Sequence, residues 1–405
     1  MGVYRLTPKE EIKPRIRALQ ERLSADGVDG AFLVQSADLF YFTGSIQQGV
    51  LFVPTDGEPV YFVRRVYERA LEEAAALHIA RIASPREIPA YFESKKVSFG
   101  TIGFEMDVMP VLTFQRFSRL FPDAKAVDVS TAIREIRAVK GVSEIEAMRA
   151  CGRNLAGLLS GARGEIRPGI TETWLGGVLQ GRAISAGHTT ITRMRAWNQD
   201  AGLGCVISGA DAAIPSYADF PTAGKGSGPY VPVGQGHRPF RENEPILIDL
   251  MWAQDGYLVD MARTYVIGEL PEKLQRAYEM AVKVMRHIEG ATRAGAVAGD
   301  LFEIGLETAS RSPFAANFMG APGYNVRFIG HGVGIEADEF PFIAKGSDTV
   351  LASGMAFALE PKFVFPSEGA VGLENTYLVT ETGFEKLTLM EEGIIACQAK
   401  AKEGT

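Results

Sequence analysis

Two apolar runs in the second half of the chain are each broken once by an aspartate. Pro245-Ile-Leu-Ile-Asp-Leu-Met-Trp252 is apolar apart from Asp249 and predicts a buried strand. Asp255-Gly256 follows, a strong tight-hairpin signal. Tyr257-Leu-Val-Asp-Met-Ala-Arg-Thr-Tyr-Val-Ile267, which carries Asp260, predicts the return strand. Side chains on a strand alternate faces. A two-residue loop at Asp255-Gly256 sets Asp249 diagonal to Asp260 on one face. A loop over Ala253 to Gly256 sets them directly opposite. Either register brings two like charges to one side, an arrangement that is destabilising on its own.

A second hairpin repeats the pattern. Met355-Ala-Phe-Ala-Leu-Glu-Pro-Lys-Phe363 and the run from Val371 to Glu381 are strand-like, with Pro366-Ser-Glu368 as the turn between them. A three-residue loop puts Glu360 opposite Glu374. His331 lies in Phe328-Ile-Gly-His-Gly-Val-Gly-Ile335, where the flanking glycines permit close backbone approach to a ligand. Four carboxylates and one imidazole in a partly buried pocket carry about four negative charges, a costly state unless cations neutralise it. Two divalent metals would cancel that charge.

The rest of the pattern places this cluster in an α/β (α+β) chain. Glu10 to Leu23 predicts a helix and Gly30 to Gln35 a buried strand. Val50 to Val53 and Pro59 to Val63 predict short strands around Asp56-Gly57, and Tyr67 to Leu77 a helix. This first unit, residues 1–137, shows no catalytic constellation. The second, residues 138–405, opens on a predicted helix from Ser143 to Leu159, with Ser143 as cap and Glu144 and Glu146 near its positive end. Further helices are predicted over Thr171 to Ala186 and Pro271 to Ala291. Each half of this unit supplies one acidic hairpin, without a sequence repeat. The glycine-rich run from Thr222 to His237, within residues 221–240, predicts a long loop before the first hairpin. His188, Arg193 and Arg195 stand in a polar stretch before Trp197, read as solvated surface with a substrate contact as the alternative.

These segments resemble the metallopeptidase family of Xaa-Pro aminopeptidases, prolidases, methionine aminopeptidases and creatinase. The matching stretches are Ile248-Asp-Leu250, Gly256 to Thr264, Gly330-His-Gly-Val-Gly334, Leu359-Glu-Pro361, Leu373-Glu-Asn375 and Gly383. Asp29-Gly-Ala-Phe-Leu-Val34 and Tyr41-Phe-Thr-Gly44 match the N-terminal domain of the prolidase and creatinase branch, and Ile136 to Glu144 its junction. The resemblance implies an N-terminal creatinase-like α/β domain followed by a catalytic domain of pita-bread fold. It implies two divalent metal ions (Mn, Co, Zn or Fe). Asp249 would chelate one, Asp260 and Glu374 would bridge both, and His331 and Glu360 would complete the other. It further implies cleavage of an N-terminal Xaa-Pro amide bond by a metal-bridged hydroxide, with Glu360 or Asp338 relaying protons, and a homodimer.

Three positions depart from the family pattern. Ser216 and Asp338 stand where the peptidases have histidines, and Gly372 where the prolidase and aminopeptidase P branch has an arginine. Ser216 can donate a hydrogen bond but carries no positive charge, and an ionised Asp338 cannot donate at all. Asp338 is therefore read as a general base, a grip for a cationic substrate group or, with a raised pKa, an acid. The alternative function is a metal-dependent hydrolase or lyase acting on a small non-peptide metabolite.

Composition narrows the partners. The formal charge of −7 over 405 residues, without a basic block, argues against nucleic acid. No apolar run approaches a membrane span, no signal-peptide core opens the chain, and no phosphate-binding or dinucleotide loop is present. Three widely spaced cysteines, Cys151, Cys205 and Cys397, suit a reducing cytoplasm better than a disulfide scaffold. The expected partner is a small peptide or other small-molecule substrate.

Overall fold

The computed structural model describes residues 5–398. The contacts divide the chain after Arg137 into two compact units. The first has a six-stranded sheet, in the order His78–Arg81, Val60–Val63, Gly49–Pro54, Gly30–Leu33, Thr101–Phe104, Lys125–Asp128. Pairing is antiparallel at the two central junctions, Gly30–Leu33 with Gly49–Pro54 and Gly49–Pro54 with Val60–Val63, and parallel elsewhere. Phe32, Phe52, Phe62, Phe92 and Phe104 fill its core. The strand expected to reach Gln35 stops at Leu33, because the Gln35 side chain accepts from Asp38 N–H and caps the helix Ser36–Thr43. The helix expected to reach Leu77 ends at Glu73.

The second unit is built from largely antiparallel sheets backed by helices, with Ile395–Cys397 running parallel to Tyr257–Ile267. Its first sheet runs Ile395–Cys397, Tyr257–Ile267, Pro245–Gln254, Gly204–Ser208. Its second runs Glu339–Ala344, Phe328–Gly332, Ala356–Leu359, Asn375–Val379, Phe384–Lys386, and a two-stranded ribbon joins Lys362–Phe365 to Gly369–Gly372. The long helices Val142–Ala162, Glu272–Ala291 and Ala298–Ser310 cover these sheets. Leu274, Val284, Met285, Leu301, Ile329, Phe357, Phe363, Val371 and Tyr377 share one core. Val142–Ala162 is capped differently from expectation: Ser143 lies inside the helix, and the Glu144 carboxylate accepts from Gly141 N–H. Glu172–Ser185 is capped by Thr171, which accepts from Trp174 N–H.

Residues 213–244 form neither helix nor strand. This long loop is fastened from inside by Glu172. Its carboxylate accepts from Ser208 N–H and Oγ–H and, at the far end of the loop, from Gly236 N–H. Gly226 has φ +70, and a Cβ there would stand 2.0 Å from Val231 O, so the turn requires glycine. No helix among the described residues is long and apolar enough to cross a membrane.

Candidate active site

The first hairpin closes through the two-residue loop, with Gln254 opposite Tyr257. Asp260 therefore faces Met251 and Asp249 faces Ala262, the diagonal arrangement on one sheet face. In the second hairpin Leu359 pairs with Asn375 and Lys362 with Gly372, around a loop of Pro366, Ser367 and Glu368. The same register runs through both ladders, so Glu360 and Glu374 stand opposite each other where the ladders meet. His331 sits on Phe328–Gly332, beside Ala358 of the Glu360 strand. Register irregularities flank His331 on its other side, where the strand pairs with Glu339–Ala344.

Side chains on the neighbouring strands hold the two hairpins in register. Thr376 Oγ accepts from Asp260 N–H and donates to Asp260 C=O, at 2.9 and 2.8 Å. Thr264 Oγ makes the equivalent pair with Gly372. Arg263 is wholly buried and donates to the carbonyls of Ala262 and Glu374 and to Asn375 Oδ1. The Met261-Ala-Arg-Thr264 run is thus a backbone clamp behind the ligands.

Inside the cluster stands a cation that sequence reasoning missed. Lys362 Nζ lies 2.7 Å from Asp249 Oδ2, 2.7 Å from Glu360 Oε2 and 2.9 Å from Glu374 Oε2, with its side chain 1% exposed. Burial alone would lower its pKa, but Asp249, Glu360 and Glu374 outweigh that and hold it well above the ordinary lysine value. The signal was available. Lys362 is two residues after Glu360 in an apolar run, which puts both on one strand face.

Asp260 and Glu374 behave differently. Burial, reinforced by Asp249 for Asp260 and by Asp260 for Glu374, pushes both carboxyls well above the usual range, against the opposing pull of Lys362. Asp260 Oδ1 and Glu374 Oε1 are buried without a hydrogen-bond donor. His331 Nε2 is 4.0 Å from Glu374 Oε1 and 3.7 Å from Glu360 Oε1. Ligand atoms of Asp260, His331 and Glu374 all fall within 4.8 Å of one another. One nitrogen and two anionic oxygens without donors form a fitting face for a divalent transition ion. A cation there would reverse the upward shifts.

The cluster lies in a cleft of about 1660 Å³ whose walls include Cys205, Ser216, Tyr217, Tyr230, Asp338 and Phe342. Burial, then Asp249, raises the Cys205 thiol well above its usual pKa, so it is held as a neutral wall. Ser216 and Asp338 reach the cleft but are already engaged. Ser216 Oγ donates to Pro232 C=O at 2.6 Å. The Asp338 carboxylate accepts from Arg195 N–H and Ala196 N–H at 2.7 and 2.8 Å, so its oxygens secure the chain segment that forms part of the cleft wall. This bonding gives Asp338 an anchoring role beside the acid, base or substrate-gripping role expected from sequence.

The remaining candidates stand apart. His237 is exposed and lies outside the cleft wall. His188 is buried against Trp252 and accepts from Ala253 N–H, and burial lowers its pKa. Arg195 is buried at 3.5 Å from Glu336. Both correct the reading of this stretch as solvated surface.

The metallopeptidase family M24 model matches residues 146–381, and the Creatinase/Prolidase N-terminal domain matches residues 15–139. The chain belongs to metallopeptidase family M24. Among M24 relatives, the Xaa-Pro dipeptidase of Pyrococcus furiosus is 26% identical over 95% of this chain and 100% of its own length. The probable dipeptidase PepE of Mycobacterium tuberculosis is 26% identical over 92% of this chain and 93% of its own. The solved structure of the Xaa-Pro dipeptidase from Bacillus anthracis superposes with a TM-score of 0.81, at 21% identity, over 95% of this chain and 99% of the other. The prolidase from Pyrococcus horikoshii gives 0.78 at 21% identity, over 93% and 99%. An N-terminal creatinase-like α/β domain thus precedes an M24 catalytic domain of pita-bread fold. Family, fold and the Asp260–His331–Glu374 cluster together mark a metal-dependent, peptidase-like hydrolase.

Proposed function

We propose that this M24 protein hydrolyses the N-terminal amide bond of small Xaa-Pro peptides. The observation that carries the reading is the pair of buried, donor-less oxygens, Asp260 Oδ1 and Glu374 Oε1, facing His331 at the floor of the cleft. When bound there, a divalent ion (Mn, Co, Zn or Fe) supplies Lewis-acid activation of water and of the scissile carbonyl. The chain's own groups supply the rest. Glu360 gives Oε2 to Lys362 and keeps Oε1 toward His331, so Oε1 is the atom placed to take a proton and return it to the leaving nitrogen. Tyr217, Tyr230 and Phe342 offer apolar faces to a pyrrolidine ring. Of the two metal positions implied by the resemblance, one would need Asp249 and the other Glu360, and Lys362 already engages one oxygen of each.

The test is to load the protein with Mn, Co or Zn and assay Xaa-Pro dipeptides and longer Xaa-Pro peptides, with Asp260→Ala as control. Metal-dependent release of the N-terminal residue, lost in the variant, is the expected outcome. A second reading is an amide or lyase reaction on a small non-peptide metabolite. It is favoured by the bonding of Ser216 and Asp338, which leaves the cleft wall without the two imidazoles of the peptidases. Metal binding without Xaa-Pro cleavage would select it. A cytoplasmic setting belongs to the same proposal and is supported by the three free thiols. The homodimer rests on family resemblance.

A further inference from the structure

The acidic cluster contains its own cation. An ammonium has three N–H donors, and those of Lys362 meet Asp249, Glu360 and Glu374 at 2.7, 2.7 and 2.9 Å. A metal ion drawing on the same oxygens would stand about 2.0–2.2 Å from each. It would then fall inside the volume of Nζ itself, so that position takes an ammonium or an ion, not both.

Two independent observations show a site shaped around the lysine. Gly372 lies directly opposite Lys362 in the ribbon. A Cβ at position 372 would come within 2.5 Å of Pro361 C=O and 2.8 Å of both Lys362 Cα and Cγ, so any side chain there collides with the facing backbone and with the path Lys362 takes into the cluster. Glycine at 372 therefore leaves the path of Lys362 open. The second observation is the division of ligand atoms. Lys362 engages one oxygen each of Asp249, Glu360 and Glu374, whereas the buried atoms without a donor, Asp260 Oδ1 and Glu374 Oε1, lie beside His331. Among the described residues, this second group alone forms a set able to hold a metal.

We infer that the Lys362 ammonium permanently fills one of the two cation positions of the fold, so that the centre takes a single divalent ion at Asp260, His331 and Glu374. This rests on the metal-dependent reading above, and stoichiometry separates the two. The probe is Mn(II) with the full-length protein, read by elemental analysis after desalting, by titration calorimetry and by electron paramagnetic resonance. The wild type should bind one Mn per chain and give the spectrum of an isolated ion. Lys362→Ala should bind two and show spin coupling between them, with circular dichroism reporting its fold. Lys362→Met keeps the length without the charge and should bind one, since its side chain still fills the position. Any wild-type stoichiometry other than one overturns the inference, as does a folded Lys362→Ala that binds one. Two ions in the wild type overturn it alone and leave the hydrolase reading standing. No ion in either protein overturns both. If Lys362→Ala does not fold, the wild-type count and spectrum decide.

Discussion

Lys362 reaches back 2.7 Å to the carboxylate of Glu360, two residues before it on the same chain segment. The residue placed to move a proton is thus oriented by a fixed charge at the start of the next strand, Lys362–Phe365. Breaking a buried ion cluster by removing one partner leaves uncompensated charge and costs about 3–5 kcal/mol. Metal-free Lys362→Ala should lose stability on that scale, seen as a lower urea midpoint at unchanged slope. Excess Mn should recover much of the loss through binding to the folded state. An unchanged midpoint would mean that Lys362 does not neutralise the cluster.

Asp338 anchors residues 195 and 196 by two backbone hydrogen bonds. Replacing it with alanine leaves two N–H groups without an acceptor, at about 1–3 kcal/mol. The effect on catalysis should fall mainly on KM, because Met194 and Ala196 line the cleft. Asp338→Asn retains an acceptor and should lose less. A collapse of kcat in both variants, with KM unmoved, would return Asp338 to a direct part in the chemistry.

Thr376 holds both backbone polar groups of Asp260. Thr376→Val keeps the shape and removes the hydroxyl, leaving a buried N–H and C=O unserved at about 1–3 kcal/mol. Metal affinity should fall with it, because one of the ties between the Asp260 strand and the Glu374 segment is lost. Calorimetric titration of the variant with Mn reads this directly.

The N-terminal unit carries a pH-sensitive group. Burial, and then the neighbouring Asp38, raise the Glu105 carboxyl well above its usual range, although its Oε2 accepts from Val34 and Gln35 N–H. A folded-state value above the unfolded one means that folding favours the protonated form. Its stabilisation is full below the unfolded carboxyl value, about 4.3, and is lost as pH rises through the raised value. Glu105→Gln, which mimics the neutral form, should therefore gain stability relative to wild type as pH is raised from about 5 to 8. Equal pH dependence in thermal melts of the two proteins would refute this.

The convergence of the acidic hairpins was legible because its signals are local. Alternation of apolar and polar positions, an Asp-Gly turn and a three-residue loop were enough to bring Asp249 to Asp260 and Glu360 to Glu374. Lys362 was missed because a lysine beside a proline reads as the polar end of a strand. Its burial depends on carboxylates of two further segments, Asp249 and Glu374, besides Glu360. The hydrogen bonds of Ser216 and Asp338 were not legible for a related reason. Their partners, Pro232 C=O and the backbone of Arg195 and Ala196, belong to irregular segments whose path no periodicity encodes. The helix ends shifted where a side chain outcompeted the expected cap, as Glu144 does at Gly141.

Arg263 has a consequence for what the centre can hold. Its guanidinium grips the Ala262 and Glu374 carbonyls and Asn375 Oδ1 from within the protein, and Glu374 N–H bonds to Ala262 C=O. The walls bearing Asp260 and Glu374 are therefore braced from behind, which resists their moving apart to suit a guest. Calcium needs oxygen distances of 2.3–2.6 Å and six to eight ligands. If that bracing fixes the gap, the centre should discriminate by ionic radius, and calcium in excess should fail to displace Mn in a competition titration.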